Sequence, residues 1–256
     1  MIDGSSSRPS EARAGIVKGK HSFGSRIRLR LSRMTEAPSP ERGRQTVSKS
    51  RSFQRAVNAF PRWPVYTLGA APGLWIFWLA LNDRLGADPV KSLEHMFGLW
   101  TLRFLIASLA VTPLRRFGGP NLVRFRRALG LLAFFYACAH LSAYLAFDQG
   151  FDARAIAADI VKRPYITVGM FAFAILVPLA ATSNAAMIKR MGAAAWQRLH
   201  RWVYVAAIAA VVHYFMSLKS WTAEPIFYAA LVASLLFIRA GFFIKKKLFT
   251  SEARVA

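Results

Sequence analysis

Apolar residues in this chain come in six long blocks, separated by shorter polar connections. The blocks lie at about residues 64–81, 97–113, 128–147, 165–181, 200–218 and 225–244. A helix needs about 20 predominantly apolar residues to cross the hydrocarbon core of a bilayer. Because backbone groups in lipid must be hydrogen-bonded within their own segment, helices are the expected structure. The pattern predicts an all-α bundle of six transmembrane helices, of which the second is the shortest.

The formal net charge of +23 would indicate a nucleic-acid partner in a soluble protein. Here the apolar blocks favour membrane lipid as the surroundings, so we expect no nucleic acid. Much of the charge lies before the first block, where residues 1–62 hold 14 Lys/Arg and four acids. Such a segment buries too little apolar surface to fold alone. We predict a disordered tail at 1–60, a transmembrane domain at 61–247 and a short tail at 248–256.

The connections between the blocks alternate in charge, and this alternation predicts the orientation in the membrane. The second-to-third and fourth-to-fifth connections are basic and contain no acid, whereas the other three contain Asp or Glu. Positively charged connections stay on the cytoplasmic side, so both termini are predicted to be cytoplasmic. The residues that carry the basic connections are Arg115, Arg116, Arg124, Arg126 and Arg127, then Lys189, Arg190, Arg198 and Arg201.

Histidines inside these apolar blocks are the candidates for chemistry, because an ionisable residue in a membrane span is costly without a partner. His140 follows Arg127 by 13 residues and His213 follows Arg201 by 12, on two helices that run in the same direction. The two imidazoles are therefore expected at matching depth, where they can face each other across a metal cofactor. Neutral imidazole is a common axial ligand of haem iron. A hydrogen bond between helices is the alternative explanation.

Two further histidines are weaker candidates for metal binding. His200 precedes His213 by 13 residues, which is about 20 Å of helix, and is expected near the cytoplasmic surface. On an ideal helix the two would point about 140° apart, so a kink is needed for both to face one bundle core. His95 is expected in a polar loop just before the second helix, where a structural or proton-handling role is favoured over metal binding.

Four arginines are placed to pair with the anionic propionates of haem, and contact with lipid phosphate is the equally good alternative. No Gly-rich phosphate loop, Ser-His-Asp set or zinc-ligand spacing is present. The sequence therefore favours electron transfer and predicts no catalytic residues. The arginines are Arg103, Arg126, Arg127 and Arg201.

Several stretches of the chain resemble the MsrQ (YedZ) family, the haem-binding membrane subunits of a periplasmic methionine sulfoxide reductase system. In combination they are specific, and they cover nearly all of the apolar region but not the tail before residue 56. They are GADPVKSLEHMFG at 86–98, RRALGLL at 126–132, AHLSAY at 139–144, RPYITVG at 163–169, TSNAAM at 182–187, WQRLHRWVYVAA at 196–207 and VVHYF at 211–215.

This resemblance implies b-type haem bound by His140, His200 and His213, together with FMN. It also implies electrons from the quinone pool or a flavin reductase, and a bacterial inner-membrane location. The expected partner is MsrP, a periplasmic molybdopterin-containing reductase that repairs oxidised envelope proteins.

The fold is similar to the ferric reductase transmembrane domain, whose third and fifth helices carry two histidines each. Here the third helix has one histidine, and Arg126 or Arg127 stands where the other is expected. Two occupants of the site near the cytoplasm therefore remain open: a haem with a non-histidine ligand, or a flavin. Two other functions are also open: a self-contained ferric or oxygen reductase core, and a haem-free transporter or scaffold.

Overall fold

The computed structural model describes residues 54, 55, 57, 59–218 and 222–255, with side chains as far as residue 244. The predicted disordered tail lies almost wholly outside the described residues. Within them the secondary structure is helical and contains no strand. Six helical spans are long and apolar enough to cross a membrane, which confirms the predicted all-α bundle. They are Trp63–Leu81, Pro89–Arg116, Val123–Asp148, Pro164–Ala181, Ala193–Ser217 and Ala223–Ile244.

The described helices are numbered in chain order. The long ones are α1 (Trp63–Leu81), α2 (Pro89–Arg116), α3 (Arg126–Ala143), α5 (Pro164–Ala181), α8 (Val203–Ser217) and α9 (Ala223–Val255). Three shorter helices lie in the connections: α4 (Ala153–Lys162), α6 (Ala185–Met191) and α7 (Ala193–His200). A 3₁₀ turn at Val123–Phe125 precedes α3, and one π-helical turn at Tyr144–Asp148 continues it.

Helix α2 begins earlier than the apolar pattern predicts. The Asp88 carboxylate accepts a hydrogen bond from the backbone N–H of Lys91 and pairs with its ammonium group at 2.5 Å. These hydrogen bonds from Lys91 lower the pKa of the Asp88 carboxyl. Pro89 suits the first turn of a helix, where its missing N–H is not needed. The helix therefore starts at Pro89 and is 28 residues long.

Two predictions are wrong for this reason. The second span is not the shortest, because the cap at Asp88 adds the mixed polar and apolar residues 89–96 to the helix, and Pro113 does not end it. His95 lies inside α2 rather than in a polar loop before it.

A tyrosine hydroxyl is inserted into the backbone of α1 beside Pro72. The Tyr136 hydroxyl, from α3, donates to the carbonyl of Gly69 at 2.8 Å and accepts from the N–H of Gly73 at 2.6 Å. In an uninterrupted helix that carbonyl and that N–H would bond to each other. The hydroxyl thus satisfies both groups and ties α1 to α3.

The fifth span is interrupted between His200 and His213. Helix α7 ends at His200 and α8 begins at Val203. The N–H of Trp202 bonds to the carbonyl of Leu199, three residues back, so the chain tightens at this point. This interruption lies between the two histidines, where a kink would be needed for both to face one bundle core.

The bundle is held by buried apolar side chains from α2, α3, α5, α8 and α9. Within it α3 packs chiefly on α2 and α8 on α5, whereas α1 packs on the outside against α2 and α3. Only 11% of the apolar stretch of α1 is buried within the protein, so most of its surface is available to lipid. Central members of the core are Leu105, Leu109, Ala133, Leu176, Ala207 and Val232.

The two ends of the bundle differ in charge. We call the end with connections 117–125 and 182–192 the basic end, and the end with connections 82–88, 149–163 and 218–222 the acidic end. Between residues 54 and 244 every carboxylate lies in or beside the acidic end. These residues are Asp83, Asp88, Glu94, Asp148, Asp152, Asp159 and Glu224.

Candidate functional site

The structure brings His140 and His213 together within the bundle. His140 lies in the last turn of α3 and His213 lies in α8. Their ring centroids are 6.0 Å apart and the ring planes are inclined by 77°. The predicted matching depth of these two residues therefore corresponds to direct proximity in space.

Both rings of this pair are anchored through Nδ1 to a backbone carbonyl. Nδ1 of His140 is 2.8 Å from the carbonyl oxygen of Glu94, and Nδ1 of His213 is 2.7 Å from that of Tyr165. A carbonyl oxygen can only accept, so Nδ1 must carry the proton and donate. Nε2 of each neutral ring is then the unprotonated nitrogen, which is the form that binds a metal.

A glycine beside each anchoring carbonyl makes room for the imidazole. Gly98 lies one turn after Glu94 in α2, and a Cβ atom there would be 3.4 Å from Nδ1 of His140. Gly169 lies one turn after Tyr165 in α5, and its Cβ would be 2.7 Å from Nδ1 of His213. The two half-sites therefore have the same construction, a carbonyl followed four residues later by a glycine.

Sequence reasoning missed these four supporting residues. The available signal was a glycine in the interior of two apolar helices, where glycine is unfavourable and often marks a close approach. The glycine alone does not identify the group that approaches. The partner rings come from α3 and α8, more than 40 residues away along the chain in each case.

The chemistry of the pair suits haem better than a bare metal ion. The described residues contain no cluster of three or more His, Cys, Asp or Glu able to hold a metal. Two neutral imidazoles are sufficient only when the cofactor itself supplies the remaining ligands, as haem does. The 6.0 Å separation of the ring centroids is of the order of two metal–nitrogen bonds of about 2 Å each plus the distance from each nitrogen to its ring centre. The residues present fit this group.

His200 is not part of the histidine pair. It ends α7, where its Nδ1 is 3.1 Å from the carbonyl oxygen of Trp196 and its ring stacks on that indole at 3.9 Å. Its Nε2 is 3.4 Å from Oγ of Ser183. The structure thus places His200 in a contact set of its own toward the basic end, and its role as a haem ligand stays a prediction.

The other predicted site residues are also separated from one another. Arg103, in the middle of α2, donates from Nε to the hydroxyl of Tyr228 at 2.8 Å. Arg126 is half-buried at the start of α3, whereas Arg127 and Arg201 are exposed. His95 lies 5.6 Å from the ring of Tyr214.

A polar network at the acidic end links α4 to the side chain of Tyr165, the residue whose carbonyl holds His213. Asp159 accepts hydrogen bonds from Tyr144 and Gln149 and pairs with Arg163 at 3.2 Å. Arg163 in turn donates to the hydroxyl of Tyr165 at 3.4 Å, and this bond raises its pKa. The network therefore braces the first turn of α5 on the side where His213 is anchored.

Comparison with known proteins agrees with this geometry. Residues 97–211 match the family described as ferric reductase like transmembrane component, a segment that contains His140 and His200 and ends two residues before His213. The proteins named protein-methionine-sulfoxide reductase heme-binding subunit MsrQ from Brucella ovis, Brucella canis and Brucella suis are 54% identical over 177 residues. The match covers 69% of this chain and 80% of each relative. The chain therefore belongs to the MsrQ family.

Proposed function

We propose that this protein is a membrane electron-transfer subunit that binds haem b between His140 and His213. The proposal rests on the paired rings, each with Nδ1 fixed to a carbonyl and Nε2 left to bind iron. When bound, haem supplies a one-electron carrier within the membrane. The chain's own part is to fix both rings and to exclude water with the apolar core around them.

We place the basic end on the cytoplasmic side of the bacterial inner membrane and the acidic end in the periplasm. The supporting observation is the clustering of Lys/Arg in the connections of the basic end, which the positive-inside rule assigns to the cytoplasm. Both termini of the domain at 61–247 would then be cytoplasmic. The His140–His213 pair would lie toward the periplasmic side, and His200 toward the cytoplasm.

The direction of electron flow follows from this orientation. Electrons would enter at the cytoplasmic side from the quinone pool or a flavin reductase, with FMN as a further cofactor. They would leave at the periplasmic side to a molybdopterin-containing reductase of the MsrP type, in support of the repair of oxidised periplasmic proteins. The name of the relatives, a heme-binding subunit of a protein-methionine-sulfoxide reductase, supports a methionine sulfoxide reductase as the partner.

The arginines have different places in this proposal. Arg103 is the candidate for a propionate of the haem at the pair, because it lies in α2, the helix that anchors His140. Arg126, Arg127 and Arg201 are the candidates for the propionates of a second haem near His200. His95 lies in the same helix as the anchor of His140 but is the weakest candidate for binding iron.

The first test is a reduced-minus-oxidised visible spectrum of the purified protein, compared with three histidine variants. We expect sharp b-type bands in the wild type that are lost in His140→Ala and in His213→Ala. His200→Ala is the matched variant, since it removes an imidazole from the other histidine site. Loss of part of the signal there would indicate a second haem.

Two results would contradict the proposal. One is a colourless wild-type protein isolated from haem-replete cells, which would favour a transporter or scaffold. The other is a His140→Ala or His213→Ala variant that keeps the full wild-type bands. Each variant needs the same gel-filtration profile as the wild type, so that lost haem is not confused with lost folding.

A further inference from the structure

His95 lies at the surface beside the acidic end and is connected to both halves of the histidine pair. It follows Glu94 directly in α2, and the peptide group between these two residues supplies the carbonyl that binds Nδ1 of His140 at 2.8 Å. Its ring also packs on Tyr214, the neighbour of His213 in α8, with 5.6 Å between the ring centroids. One exposed imidazole is therefore bonded to the residue that anchors His140 and packed on the residue next to His213.

The face of α2 that carries His95 is polar and open to water. Lys91 lies one turn before His95 on this face, and its side chain is 77% exposed. The side chain of Asp88, which pairs with Lys91, is 49% exposed. The imidazole continues this row of charged groups, so a soluble molecule at the acidic end can reach it.

The contact between His95 and Tyr214 does not resemble a structural clamp. Tyr214 is buried in α8, and a clamp between α2 and α8 would use a hydrogen bond across the interface. In the part of the chain that the structure describes, no hydrogen bond or ion pair to the imidazole of His95 is found. The ring is therefore held by packing on Tyr214 and by its place in the helix, and its nitrogens are left for a molecule outside the bundle.

Tyr165 also lies beside the histidine pair, but it is connected differently. Its ring centroid is 6.0 Å from that of His213, and its carbonyl anchors the same residue. Its side chain is half-buried, and its hydroxyl accepts a hydrogen bond from Arg163. Tyr165 thus leads from the surface to His213 alone, whereas His95 leads to both halves of the pair.

We propose that electrons leave the histidine pair through His95, and that a soluble electron-accepting protein contacts the surface around this residue. The inference rests on the proposed binding of haem between His140 and His213. In the transfer step the bound cofactor is oxidised by one electron and the redox centre of the acceptor is reduced by one, while His95 keeps its own oxidation state. Electrons tunnel more readily through bonded and packed atoms than across gaps. The peptide group of Glu94 and the ring of Tyr214 therefore provide two routes to the same exposed imidazole.

Photoinduced electron transfer tests this route in the full-length, haem-loaded protein, because the same contacts carry an electron in either direction. A ruthenium polypyridyl label is attached to Lys91→Cys, one turn from His95, or to Arg154→Cys, an exposed position in α4 at the same end. Both variants are made in a Cys138→Ser background. A light flash excites the label, which passes one electron to the oxidised haem, and the b-type bands record the rate. We expect haem reduction to be at least tenfold faster from Lys91→Cys than from Arg154→Cys.

Substitutions of His95 separate the effect of its ring from that of the position of the label. With the label on Lys91→Cys, His95→Ala is expected to slow haem reduction several-fold. His95→Phe should keep the rate, because it retains an aromatic ring against Tyr214 although it cannot carry a proton. Neither substitution should change the rate from Arg154→Cys. Equal rates from the two labels, or a rate from Lys91→Cys that His95→Ala leaves unchanged, would overturn the proposal.

The haem bands recorded before the flash distinguish failure of the exit route from failure of the haem site. Full b-type bands combined with rates that do not depend on His95 would overturn the exit route alone. A protein without these bands would overturn the haem site and the exit route together.

Discussion

The histidine pair depends on small neighbours as much as on the histidines themselves. Each imidazole is bonded to a carbonyl of the adjacent helix and packs against a glycine one turn further on. This contact fixes both the tautomer and the position of the ring, so that Nε2 is presented in a defined direction. Groups that orient a metal ligand in this way commonly change metal affinity 10–100-fold when mutated, as an order of magnitude.

Replacement of Gly169 by alanine tests this construction directly. Its Cβ would lie 2.7 Å from Nδ1 of His213, so the ring must move and its bond to Tyr165 must weaken. We expect a roughly tenfold or larger loss of haem affinity. Gly98→Ala should have a smaller effect, since its Cβ would be 3.4 Å from Nδ1 of His140. Haem titration of the purified apoproteins measures both.

Gly241→Ala is the control for these glycine variants. It is also a helical glycine, in α9, but no atom lies within 4 Å of its added Cβ. We expect wild-type haem affinity in this variant. Wild-type affinity in Gly169→Ala as well would show that the close approach does not control the position of His213.

Sequence reasoning identified the ligand residues but not their supports, and the reason is physical. An imidazole inside an apolar block is visible in the sequence because it violates the hydrophobic pattern. The carbonyls of Glu94 and Tyr165 carry no such signal, since every residue has a carbonyl. His95 was misplaced because polar residues at a helix start resemble a loop when the Asp88–Pro89 cap is given too little weight.

At the scale of the helices, the sequence pattern indicates one of two interruptions and gives no sign of the other. The spacing of His200 and His213 indicates that a break would be needed for both to face one bundle core, and the helix is interrupted at Arg201 and Trp202. The hydrogen bonds from the hydroxyl of Tyr136 to the backbone of α1 beside Pro72 could not be predicted from the sequence. It requires a contact across more than 60 residues of sequence that no local pattern indicates.

Tyr136→Phe should destabilise the bundle while leaving the haem ligands in place. Removing the hydroxyl leaves the N–H of Gly73 and the carbonyl of Gly69 without this partner, at a cost of about 1–3 kcal/mol. Tyr66→Phe is the matched control, because Tyr66 lies in α1, the helix that the Tyr136 hydroxyl contacts, and its own side chain is exposed. Thermal unfolding in detergent compares the two. Equal Tm values for both variants would mean that the inserted hydroxyl adds nothing to stability.

At the scale of the whole molecule, charge and histidines are arranged along the same axis. The carboxylates lie at one end and the arginines without acidic neighbours at the other, while the helices between them hold the histidine pair. This separation was readable from the sequence, because charges in short connections are not altered by folding.

The proposed orientation predicts which residues a membrane-impermeant maleimide can label in intact cells. Cys138 is the one native cysteine, so single cysteines are introduced in a Cys138→Ser background. Arg154→Cys, exposed in α4 at the acidic end, should be labelled from outside the inner membrane. Lys189→Cys, exposed in α6 at the basic end, should be labelled only after the membrane is permeabilised. The reverse pattern would invert the orientation and place the basic connections in the periplasm, against the positive-inside rule.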